Sequence, residues 1–189
     1  MSLAFISVGN LNRRCVVLAC LWLAPFTQAE APPVTVVGAY SNVVVTDEHA
    51  QGYAIQLWRQ GDLYFGFFQR AAGLAGDTPS GLLEDLRVDP QDHTIAFKAK
   101  LSVGSESMNG ETWVPSRDLY QFSGTLFLDQ ISGSLVHLNG NHPESRGTAE
   151  EIKLYRSKKE EADLMLQTTS YQEWTESARK ILRARGPKW

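Results

Sequence analysis

Gln51-Gly-Tyr-Ala-Ile-Gln-Leu-Trp-Arg-Gln60, Gly61-Asp62 and Leu63-Tyr-Phe-Gly-Phe-Phe-Gln-Arg70 read in order as strand, tight turn and strand. The first segment alternates, with Tyr53, Ile55 and Leu57 on one face, which is the period of a half-buried strand. Gly61-Asp62 is the two-residue signal of a hairpin. The return strand is apolar on both faces, so it requires cover on both sides. Gly66 in its middle marks a bend or a close approach of another backbone.

The same period extends outward from this hairpin. Val34 to Thr46 is a valine-rich strand upstream. Downstream come Gly81 to Val88, the turn Asp89-Pro-Gln-Asp-His93, and Thr94 to Val103, with Ile95, Phe97, Ala99, Leu101 and Val103 on one face. Gly104 to Asp118 is polar and turn-rich, with Met108, Trp113 and Val114 embedded, and reads as a long loop. Leu119 to Leu128, Ser132 to Asn139 and Glu151 to Ser157 complete the series, with an exposed loop from Gly140 to Glu150. About eight strands without intervening helices predict a mainly β domain, an antiparallel up-and-down barrel over residues 30–158. Closure would remove the free edges along which open sheets aggregate.

The pattern changes after a connector at 159–169. Ser170-x-x-Glu173 is a capping box. Tyr171, Trp174, Ala178, Ile181 and Leu182 recur at helical spacing, and Gly186-Pro187 stops the run. A C-terminal amphipathic helix over 170–186, packed on or beside the barrel, follows. Arg179, Lys180, Arg183 and Arg185 near its end suit the negative pole of the helix dipole.

The first residues read as an address. Arg13-Arg14, the apolar run from Cys15 to Phe26 and the small residues through Ala29 form a secretory signal peptide over 1–29, cleaved near Ala29. Val17-Leu18-Ala19-Cys20 offers a lipoprotein signal as the alternative, and Asn12-Arg13-Arg14 loosely matches a twin-arginine signal. Either way the protein is expected in the periplasm or outside the cell. The twelve apolar residues would span about 18 Å, short of a bilayer core of about 30 Å, so no transmembrane segment is expected in the mature chain.

The full chain has 189 residues, 18 bases, 21 acids and a net charge of −3. Cleavage removes Arg13, Arg14 and both cysteines, Cys15 and Cys20, leaving 16 bases against 21 acids and a charge of −5. An acidic mature chain is a poor nucleic-acid partner. Without thiols it forms no disulfide, thiolate metal site or cysteine nucleophile.

No serine-hydrolase elbow, zinc-protease helix or phosphate-cradling loop is present, so no enzyme is expected. No cofactor motif appears either. His137, at strand spacing between Leu135 and Asn139, is a candidate for haem, metal or ligand binding, beside the plainer reading of a hydrogen-bonded wall residue. His49, His93 and His142 fall in polar turns, as do the acids Glu84, Asp85, Asp89 and Asp92.

Gly38-Ala39-Tyr40, with Asn42 just beyond, resembles the Gly-x-Trp on the first strand of lipocalins and the related avidin-type barrels, the calycins, with tyrosine in place of tryptophan. The resemblance implies an eight-stranded barrel with one end open to a ligand. Among the strand aromatics, which read either as packed core or as a cavity lining, Tyr40, Tyr53, Phe65, Phe97 and Phe122, with His137, are candidate contacts for a small apolar or amphipathic ligand, and Trp113 is a candidate gate at the mouth. A second expectation is an envelope protein partner, or an enzyme to be inhibited, met by the 104–118 loop.

Overall fold

The computed structural model describes residues 31–189 other than 75–77, 109, 159, 161–169 and 188. The expected signal peptide and nearly all of the connector lie outside the described residues. The strands are β1 (Val34–Ser41), β2 (Val44–Val45), β3 (His49–Gln60), β4 (Leu63–Leu74), β5 (Ser80–Leu82), β6 (Glu84–Asp89), β7 (Thr94–Leu101), β8 (Ser105–Ser107), β9 (Trp113–Pro115), β10 (Asp118–Leu126), β11 (Gln130–Asn139) and β12 (Thr148–Arg156). Among the described residues the helix α1 (Tyr171–Arg185) follows them.

All but β8 and β9 join one antiparallel sheet, in the order β5-β4-β3-β1-β12-β11-β10-β7-β6, with β2 on β3. The two ends of this path, β5 and β6, are consecutive in the chain with only Leu83 between them. The segment expected as one strand therefore pairs with β4 by its first half and with β7 by its second. Asp85, at φ 51°, sits where the register breaks between Glu84 and Arg87 and turns the strand from one neighbour to the other. A Cβ on Gly81 would lie 2.2 Å from the Lys100 carbonyl oxygen, so only glycine lets the closing strand come this near. The result is a nearly closed antiparallel barrel, as expected from the strand series.

Alternation sorts each strand. Inward faces supply one contiguous core that includes Tyr40, Ile55, Leu57, Phe68, Phe97, Leu101, Tyr120, Phe122, Leu135 and Leu154. Phe68 is its hub, with ring centroids of Tyr120 at 5.2 Å and of Tyr53 and Phe97 at 5.7 Å. The glycines in the wall fill space rather than leave it. A Cβ on Gly38 would meet the Tyr40 ring at 2.7 Å, and one on Gly66 would meet the Gln56 carbonyl at 2.1 Å. The Gly-x-Tyr motif thus seats the tyrosine ring against its own strand, and Gly66 is the close approach foreseen.

The outer face of β1, β3 and β4 has its own cluster of Ala39, Trp58, Phe65 and Phe67, covered by Trp174 and Ala178 of α1. This is the second cover that the apolar first half of β4, Leu63 to Phe68, demands. Ser170 caps the helix, accepting from the Glu173 N–H at 3.1 Å. Tyr171 and Ile181 of the expected stripe remain exposed. Among the described residues no helix is long and apolar enough to cross a membrane.

Candidate functional site

Towards the end of the barrel formed by the 102–117 and 140–147 connections, the inward positions change from apolar to polar. The inward positions there are held by Tyr53 on β3, Arg70 on β4, Asp118 on β10, His137 on β11 and Glu150 on β12. These side chains form a linked layer above the core. Arg70 donates to the Tyr120 hydroxyl, and its guanidinium carbon lies 5.8 Å from the Tyr120 ring centre. Tyr53 donates to Glu150. His137 stacks on Tyr120, with centroids 4.7 Å apart and planes 14° from parallel, and its Nε2 lies 2.8 Å from Asp118 Oδ1.

Asp118 is the one charged side chain buried among the described residues. Burial opposes its charge, but His137, the Ser116 hydroxyl at 2.6 Å and the Val103 N–H at 3.0 Å outweigh that and hold its pKa below the ordinary value. Tyr120 moves the other way: burial pushes its phenol up to about 12, against the pull of Arg70. Burial and the Glu150 hydrogen bond raise Tyr53 as well. Both phenols are therefore neutral at ordinary pH, Tyr53 donating to Glu150 and Tyr120 accepting from Arg70.

The long loop expected at 104–118 contains the β8–β9 hairpin, in which Ser107 pairs with Trp113. Its alternation is too short to read in sequence. Two anchors hold it: Ser116 reaches Asp118 and accepts from the Gly104 N–H, and Glu106 accepts from the side-chain amides of Asn139 and Asn141. Those amides lower the Glu106 pKa. Trp113 stands 69% exposed on this hairpin, and Met108 is also exposed.

The expected ligand contacts divide into three groups. Tyr40, Phe97 and Phe122 lie in the core, and the Tyr40 hydroxyl donates to the Phe127 carbonyl. Tyr53 and His137 belong to the polar layer. Phe65 faces the other way, 4.7 Å from Trp174 between centroids, because strand parity opposes it to Tyr64 and Phe68. Arg70, Asp118 and Glu150 were missed in the sequence. Their signal was a polar residue at the inward parity of its strand, and all three stand at or one residue beyond the strand ends expected.

Among the described residues no group of three His, Cys, Asp or Glu is disposed to hold a metal ion. No protein family, curated protein or solved structure matches this chain.

Proposed function

We propose that the protein is an exported barrel of calycin type that binds a small amphipathic ligand without transforming it. The ligand's polar end sits at the inward polar layer. The observation that carries this reading is Arg70: it is half-buried, its partner is a neutral phenol, and among the described residues no carboxylate lies within 4.0 Å of it. A guanidinium has five donors suited to a carboxylate or phosphate, and an unmatched one in a recess favours an anion. Tyr53 opens the same recess towards solvent, in a depression of about 370 Å3 shared with Arg70 and Glu150.

Titration with a fluorescent fatty-acid analogue tests this. Saturable binding is expected, weakened about tenfold or more in Arg70→Gln, since a hydrogen bond to a charged group contributes about 1.5–3 kcal/mol. Absence of saturation overturns it.

The exposure of Trp113 on an anchored hairpin favours a second reading, an envelope protein partner or inhibited enzyme met by residues 104–118. Aromatic anchors of this kind dominate interfaces. Trp113→Ala would then abolish partner binding while leaving ligand titration unchanged. Haem or metal binding through His137 is a third reading, tested by visible absorption of the purified protein. His137 Nε2 already faces Asp118, which leaves Nδ1 for it.

A further inference from the structure

β1 and β12 close the barrel over a short stretch only. Their register comprises Tyr40 opposite Arg156 and Ser41 opposite Tyr155, extended by one bond from the Ser157 N–H to the Ala39 carbonyl. Beyond Ser41 the chain turns away to pair with β3 as β2. The earlier part of β12 is thus left paired with β11 alone.

The direction of its unpaired groups follows from the ladder. The Arg156 N–H bonds to the Asp129 carbonyl on the β11 side, and the Ser157 N–H to Ala39 on the β1 side. In an antiparallel ladder these directions alternate, so even-numbered residues of β12 serve β11 and odd-numbered ones face the opposite edge. Ala149, Glu151 and Lys153 therefore direct backbone N–H and C=O groups into the gap, where no described backbone group answers them. The depression described above lies here, between Glu150–Lys153 and Asn42, Val44 and Gly52. Val44 on its far lip is 66% exposed.

We infer that this open edge of β12 receives an extended segment of a partner polypeptide as an added antiparallel strand, with an acid–apolar–base pattern. The backbone fixes the class of partner, because free donors and acceptors at strand spacing are matched by another strand. The side chains fix the pattern. A strand running antiparallel meets Lys153 first, then Ile152, then Glu151. Opposite charges at directly facing positions stabilise the pair. Lys153 and Glu151 lie on the outer, exposed face, whereas Ile152 points into the core, so the middle residue is apolar.

A second folded copy is not the occupant. Pairing Glu151 with Lys153 of another β12 would bring that strand's Thr148 and Ala149 opposite Arg156 and Tyr155, places already taken by Tyr40 and Ser41. A free segment that starts one residue later meets no such block. Glu150-Glu-Ile-Lys-Leu-Tyr155 of this chain has the required pattern and serves as the probe.

The experiment titrates the acetylated hexapeptide Glu-Glu-Ile-Lys-Leu-Tyr into the isotope-labelled mature chain and follows backbone amide shifts. Saturable changes are expected at Ala149–Lys153 and Asn42–Val45. Lys153→Pro removes an N–H directed into the gap while sparing the β11 ladder, and is expected to weaken binding about threefold to tenfold, the worth of one backbone hydrogen bond. Exchanging the charges, Glu151→Lys with Lys153→Glu, should weaken the original probe and restore affinity for a probe carrying the same exchange. If the proline variant does not fold, the charge exchange alone decides. No saturation, or binding indifferent to the exchange, overturns the inference. A dimer of the chain in sedimentation that Lys153→Pro dissolves overturns the assignment of the occupant.

Discussion

Replacing Asp118 by alanine tests the logic of the polar layer most directly. Its carboxylate accepts from His137, from Ser116 and from the Val103 N–H, and its side chain is only 10% exposed. Hydrogen bonds to a charged group contribute about 1.5–3 kcal/mol each, but they share one acceptor and are not additive. Stranding the Val103 N–H and the Ser116 hydroxyl adds their desolvation cost. The expected loss is about 3–5 kcal/mol, like that of breaking a buried polar pair. For a chain of this size that is a fall in Tm of about 6–20 °C. The effect should depend on pH with a defined sign. The folded pKa of Asp118 is depressed, so its stabilisation is complete above the unfolded value of about 3.9 and is lost as pH falls through the lower folded value. Urea unfolding of the parent and Asp118→Ala between pH 5 and pH 2 checks this. The gap between them should be widest at pH 5 and narrow steadily below pH 4. A gap that stays constant over that range would refute the claim that the ionised carboxylate is the stabilising species.

Phe68→Ala removes the hub of the interior and should cost about 3–5 kcal/mol by thermal or urea unfolding, a loss typical of a buried phenylalanine. Gly66→Ala would force a methyl to 2.1 Å from the Gln56 carbonyl, so it should lower Tm although alanine is otherwise tolerated in strands. Trp174→Ala should undock α1, seen as lost helical circular dichroism. Trp174→Phe should retain the helix, because the buried indole N–H has no hydrogen-bond partner among the described residues. Tyr120 should ionise near pH 12 in ultraviolet titration. Its raised pKa means that stability is full below the unfolded value of about 10 and declines above it.

Much of the polar layer escaped a reading by composition because its members are ordinary residues in their own segments. Arg70 ends an aromatic strand and Glu150 opens a polar one, so neither neighbourhood distinguishes it from a solvated charge. Their common inward parity appears only when β3, β4, β10, β11 and β12 are set in register. Phe65 shows the converse. Its strand is apolar on both faces, and nothing local says which face meets the interior and which the helix.

The sequence by itself determined where most of the long strands run, where the chain turns between them and how α1 starts and stops. Those features depend on alternation, on glycine, proline and aspartate in turns, and on a cap whose partners lie within three residues. The tertiary structure alone decided that one bent segment would close the ring through β5 and β6. It likewise decided that β12 would keep an open edge and that charges from separate strands would meet above the core. Each of these rests on register between strands far apart in the chain. A shift of a single residue there exchanges inside for outside, and no local pattern encodes it.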